Sequence, residues 1–138
     1  MALWRAEALK RLPELRDIVT SAGNVMALWL ELTRAFEKAY ESEPRNESLI
    51  ARIYSYADWC VQAPSGSDAE HDPMTAVITA FYEDIPKFKP ARDDMPRWFR
   101  HSEIAGNRKV FSYMIGDRAY DELLAYMAKN QHRYQPRA

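Results

Sequence analysis

Two groups of side chains in this sequence have the types and neighbours that chemistry needs. The first is Asp58, one helical turn after Tyr54, together with Glu83, which follows Phe81-Tyr82. Carboxylates set among aromatics can accept hydrogen bonds from tyrosine hydroxyls or from Arg52. They can also work as an acid–base pair when unequal burial drives their pKa values apart. Structural pairing is the commoner outcome. The second group is the stretch Lys87–Lys109, where seven Lys or Arg stand against three Asp or Glu, interleaved with Phe88, Trp98 and Phe99. Arginine beside tryptophan is the composition of protein-interaction hot spots and of single-strand nucleic-acid grooves. Lys89, Arg92, Arg97, Trp98 and Arg100 are its candidate partner-binding residues. The plainer reading is a loop whose aromatics tuck inward while its cations are solvated.

The other reactive types are poorly placed. Glu70-His71-Asp72 crowds a histidine with two carboxylates, but adjacent residues rarely converge on one ion, and Asp72 before Pro73 already suits a helix cap. His101 and His132 form no pair four residues apart, so the helical metalloprotease pattern is missing. The single cysteine, Cys60, lies in an apolar helical stretch without a basic neighbour, surroundings that raise a thiol pKa. The four glycines are scattered at helix ends and make no phosphate loop. The sequence therefore proposes no metal, no cofactor and no catalytic residue with a recognisable signature.

Composition narrows the partners. Nineteen Lys and Arg against twenty Asp and Glu give a net charge of −1, which removes the general electrostatic case for nucleic acid or an acidic membrane. For the basic stretch an acidic protein ranks ahead of nucleic acid. No eighteen apolar residues run together, and Met1–Arg5 lacks a basic head followed by an unbroken apolar run, so membrane spanning and secretion are disfavoured. An unpaired cysteine suits a reducing compartment, and a cytoplasmic location is the expectation.

Helices must position these residues. Over 138 residues, 47% of them hydrophobic, apolar positions recur at helical spacing, broken by Pro, Gly or Asn. Breaks at Pro13, Gly23-Asn24, Pro44–Asn46, Pro64–Pro73, Pro86–Pro90 and Gly116 separate six to eight helices. Two are clear: Val25–Glu41, with Glu31, Arg34 and Lys38 opposite an apolar face, and a nearly all-round apolar helix over Glu47–Gln62, expected to be central. Leu15 and Ile18 should be buried by a short helix from Pro13, a helix should run from Pro73 towards Ile85, and another should begin near Asp94. No stretch alternates with the β-branched enrichment of a strand. The fold predicted is all-α and a single domain over 1–138, with residues from about 131 fraying. It is either a compact orthogonal bundle or a short armadillo- or HEAT-like superhelix, although no period repeats cleanly.

Pro13-Glu14-Leu15, a Trp-bearing helix, the segment Tyr54-Ser55-Tyr56-Ala57-Asp58-Trp59-Cys60 and Phe81-Tyr82-Glu83-Asp84 together resemble a group of small bacterial helical proteins classed as a domain of unknown function. That resemblance implies an all-helical cytoplasmic protein without assigned activity; some similar proteins serve as immunity or regulatory partners. It supplies no catalytic residues. Three readings follow. The first is a non-enzymatic module that binds a protein through a groove or through the basic stretch. The second is a small enzyme with a cleft at Tyr54, Asp58 and Glu83. The third is self-association through surplus aromatics such as Trp4, Tyr113 or Tyr126.

Overall fold

Asn24 and Asn46 open the two longest helices of the first half of the chain. Each side-chain oxygen accepts from a backbone N–H three residues on, Ala27 at 2.8 Å and Leu49 at 3.2 Å, satisfying donors that a helix leaves orphaned at its start. In the computed structural model, which describes residues 1–137, these are α3 (Val25–Glu41) and α4 (Glu47–Gln62). The protein is all-α, 76% helical, with nine α-helices and no strand among the described residues. Two compact units emerge, Met1–Phe81 and the chain from Tyr82 onward.

In the first unit α1 (Leu3–Arg11), a 3-10 turn (Pro13–Leu15) and α2 (Arg16–Ser21) precede α3 and α4, and α5 (Pro73–Val77) closes it. Helix α3 meets α4 and α5, and α4 also meets α1 and α5, so packing extends beyond chain neighbours and the unit is a cluster rather than a nearest-neighbour stack. Helix α4 shares its central place with α3. The core is aromatic. The Trp29 ring stacks on Tyr56 at 5.5 Å and Phe81 at 4.9 Å, and Phe36 meets Tyr54 and Phe81 edge-on at 5.3 and 4.8 Å.

Polar groups tie the periphery to that core. Arg5 donates to the carbonyls of Val19, Thr20 and Ala22, which α2 and its exit leave unpaired. Arg52 grips both oxygens of Glu14, and Tyr56 donates its hydroxyl to Trp4 O at 2.8 Å. The helix from Pro73 does not continue with one period to Ile85. It widens into a π turn over Ile78–Tyr82. The Thr33 hydroxyl stands 2.8 Å from the carbonyls of both Trp29 and Ala80, and its single proton serves one of them at a time.

The second unit holds α6 (Lys89–Trp98), α7 (His101–Ala105), α8 (Arg108–Ser112) and α9 (Gly116–Lys129). Helix α6 starts five residues before the expected Asp94, because Pro90 opens the helix instead of ending the one before. Helix α7 has no counterpart in the sequence expectation; Glu103 reaches back to accept from Arg100 N at 2.7 Å and sets its first turn. At the α8–α9 corner Gly116 takes φ 83°, a left-handed conformation that favours glycine. Tyr82, Phe99 and Phe111 form an aromatic triangle with centroids 5.6 to 6.2 Å apart.

Residues 131–137, expected to fray, make contacts with earlier elements of their unit. Gln135 N donates to Arg97 O at 3.1 Å, Gln131 accepts from His101 N, and Arg133 reaches the Asp93 carbonyl and the Asp94 carboxylate. Short-range polarity suggested a solvated tail; the anchors that hold it are thirty to forty residues away in sequence. Ala138 lies outside the described residues.

Candidate functional site

The basic–aromatic stretch is neutralised from within its own unit. Asp94, with a side chain only 8% exposed, accepts from Arg97 Nε at 3.1 Å, Arg97 Nη2 at 2.8 Å, Trp98 Nε1 at 3.1 Å and Arg133 Nη2 at 3.3 Å. Arg97 also lies over the Trp98 ring, 4.9 Å from its centroid. Lys89 pairs with Asp93 at 2.7 Å, and Arg92 donates to Pro86 O at 3.3 Å. Trp98 is buried. Arg100 is exposed, stacked over Tyr134 at 5.1 Å, and the hydrogen bond its guanidinium donates to that tyrosine's oxygen raises its pKa. Of the five residues named from sequence, Arg97 and Trp98 are structural members of the Asp94 network; Arg100 and Lys89 are exposed, Lys89 paired with its aspartate. Helical spacing of three and four residues brought these charges onto each other, a neutralisation that a tally of charges along the stretch does not register.

Tyr54 is fully buried, its ring enclosed by Phe36 and Phe81, so a solute outside the fold does not reach it. Asp58 follows one turn later on α4, half-buried, in the first unit. Glu83 is in the second unit, just past the π turn, with burial pushing its carboxyl pKa up. In the 64–72 loop, Asp72 is a helix cap: its carboxylate accepts from Gly66 N at 2.9 Å, Thr75 N at 3.1 Å and Thr75 Oγ1 at 2.6 Å, and these bonds hold its pKa down. His71 turns to Asp68 at 2.7 Å. Among the described residues no three His, Cys, Asp or Glu side chains gather as a metal site would require. Cys60 is buried, accepts from Trp29 Nε1 at 3.4 Å, and burial pushes its thiol up to about 11.

A furrow appears on the first unit instead, where the Pro13–Leu15 turn and α2 lie along α3. Two adjoining concavities of about 450 and 580 Å³ share Ile18, Glu31 and Arg34 and so form one trough. Leu15, Ile18, Ala27, Leu30 and Ala35 supply its apolar lining. Leu30 is 54% exposed. Leu15 and Ile18, expected in the core, are only half-buried, because α2 is a six-residue helix and carries just Val19 fully inward.

Charged side chains border the trough. Asp17 lines the concavity that holds Leu30, Lys38 lines the one that holds Leu15, and Glu31 and Arg34, paired at 3.0 Å, line both. Neither Asp17 nor Lys38 has an ion-pair partner among the described residues. A signal for this face did exist in the sequence: Leu30 is a large apolar residue outside the inward stripe of α3 and adjacent to Glu31. Its meaning depends on which element lies alongside, and that is a tertiary fact.

Other exposed large apolar side chains are scattered, on α1, α4, α5 and the turn after α8. Trp4 is buried and Tyr126 donates its hydroxyl to Asp93 O, leaving Tyr113, 70% exposed, as the outward member of the three aromatics considered for self-association. No helix among the described residues is long and apolar enough to cross a membrane. No family model, no curated protein and no solved structure matches this chain.

Proposed function

We propose that this chain is a non-enzymatic protein-binding module whose α2–α3 furrow receives a helical segment of another protein. The observation that carries this reading is the trough itself: lined by Leu15, Ile18 and Leu30 together with charged side chains of both signs, and long. From Ala27 to Ser42, α3 advances about 22 Å, the length of roughly four helical turns. A groove of that shape suits the apolar stripe of an amphipathic helix, read at three- and four-residue spacing. The immunity or regulatory role implied by the sequence resemblance is one form such binding takes. The enzyme reading has less support, because its tyrosine is enclosed in the core and its carboxylates carry no arrangement that accounts for a reaction.

The test is affinity capture from native lysate with three baits: the unaltered chain, Leu30→Glu and Arg100→Glu. Leu30 and Arg100 are both exposed, so neither change should disturb folding. A stoichiometric protein held by the unaltered and Arg100→Glu baits and lost from Leu30→Glu is the expected result. Loss with Arg100→Glu alone would move the binding face to the basic stretch. Retention by all three baits would refute the furrow.

A further inference from the structure

We infer that a crevice lined by α6 and α9 is a binding site for a free α-amino acid with an aliphatic side chain, its carboxylate held by Arg92 and its ammonium group by Glu122. The inference is independent of the furrow, since both helices belong to the second unit. Ala119, Glu122, Leu123 and Tyr126 recur at three- and four-residue spacing along α9 and share one face, which lines a crevice of about 270 Å³ together with Arg92 and Asp93 of α6. That volume is just below the roughly 300–1,000 Å³ of sites that take drug-sized ligands, so the solute it suits is a smaller one. The Tyr126 hydroxyl donates to Asp93 O at 2.5 Å and ties the two walls together.

The charges that line the crevice are unequally committed. Asp93 is paired with Lys89 at 2.7 Å and has little attraction left for a further cation. Arg92 donates Nη1 to Pro86 O at 3.3 Å and has Nε 4.0 Å from Asp93, while its Nη2 donates to nothing among the described residues. Glu122 pairs only with Arg118, at 3.8 Å, and both side chains are well exposed, so that pair is weak. Arg92 and Glu122 do not pair with each other. A cation and an anion with bonding capacity to spare thus line one small crevice, the complement of a zwitterion. A carboxylate accepts from the Arg92 guanidinium, an ammonium group donates to Glu122, and a ligand with only one of the two charges satisfies only one of them. Buried Leu123 and Ala119 give the crevice an apolar part, against which a side chain of a few carbons packs.

NMR titration of the full chain, followed at the Leu123 methyl resonances, tests this with L-leucine, leucinamide and N-acetyl-L-leucine. The amide lacks the carboxylate and the acetyl derivative lacks the ammonium group, so the unaltered protein reports on both contacts. L-Leucine should bind with a Kd of about 1 mM or tighter, and each blocked derivative about tenfold more weakly. Glu122→Gln, a change at an exposed position, should weaken L-leucine about fivefold and leave N-acetyl-L-leucine unchanged. Arg92→Gln should weaken L-leucine about tenfold and leave leucinamide unchanged. Should Arg92→Gln fail to fold, the comparison of leucine with leucinamide on the unaltered chain decides the carboxylate contact. No saturable shift at Leu123 by about 10 mM L-leucine would overturn the inference. So would equal binding of leucine and either blocked derivative, or binding indifferent to Glu122→Gln.

Discussion

Replacing Asp94 by alanine removes the acceptor that four hydrogen bonds share, and the cost can be assembled from who is left behind. Trp98 is 8% exposed, so its indole N–H loses its acceptor with little water to replace it, at about 1–2 kcal/mol. Arg97 loses two charge-assisted bonds, but with a side chain 24% exposed its guanidinium recovers part of its hydration, leaving about 1 kcal/mol. Arg133, at 3.3 Å and 33% exposed, adds a few tenths, ~0.3 kcal/mol. Asp94→Ala should therefore lower stability by about 3 kcal/mol, and Asp94→Asn, which keeps one acceptor oxygen, by about 2 kcal/mol. The assay is urea unfolding followed by far-UV circular dichroism, with midpoints compared at unchanged slope. Hydrogen exchange supplies a local readout: the Gln135 amide, bonded to Arg97 O, should lose protection together with the tail. A double-mutant cycle sharpens the test, since Arg97→Ala should cost about 2 kcal/mol alone and under about 0.5 kcal/mol once Asp94 is gone. A cost below about 0.5 kcal/mol for Asp94→Ala, or strict additivity with Arg97→Ala, would refute the network. The same argument makes Arg97→Glu a destabilising change rather than a clean probe of a surface, whereas Arg100→Glu is a clean one.

The Arg52 guanidinium holds the Glu14 carboxyl below its ordinary value of 4.5. A folded-state pKa below the unfolded one means the pair stabilises above pH 4.5 and that this contribution is lost as pH falls through the folded value. With side chains 32% and 42% exposed it amounts to less than about 1 kcal/mol. Urea midpoints of the unaltered chain and Arg52→Ala should differ at neutral pH and converge towards about pH 3; a gap unchanged across that range would contradict the assignment. In the 64–72 loop, a Cβ on Gly66 would lie 1.9 Å from the His71 carbonyl oxygen, so Gly66→Ala must displace backbone next to the Asp72 cap and should cost about 1–3 kcal/mol. Gly23 has nothing within 4 Å of an added Cβ, and Gly23→Ala should change stability by less than about 1 kcal/mol, with thermal melts of the two variants separating the cases.

Much of the architecture was legible in short-range patterns. Asn24, Asn46 and Asp72 act as caps because a short side-chain acceptor before a helix meets local N–H groups, a match complete within four residues. The apolar stripe of α3 and the nearly all-round apolar α4 follow from helical periodicity alone, as does the all-α class. Where sequence reading departed from the structure, two local rules were in competition. Pro90 can end one helix or open the next, and Glu103 can be a solvated charge or the acceptor that starts α7.

The candidate sites were much less legible, and the reason is distance along the chain. Arg97 reads as a displayed cation until Asp94 and, from the far end of the unit, Arg133 close around the same carboxylate. Tyr54 reads as a candidate cleft residue until Phe36 and Phe81 enclose its ring. Leu30 reads as an apolar residue out of register until the Pro13–Leu15 turn and α2 lie beside α3 and make a trough of it. The sequence by itself determined which segments are helical, where most begin and which faces turn inward, because those depend on residues within a turn or two. The charge pairs Asp94–Arg97 and Lys89–Asp93 also lie within a turn of one helix, but the closing of Arg133 on Asp94, which aromatics are sealed and where a groove opens were decided only by the tertiary structure, because each needs groups brought together from separate elements.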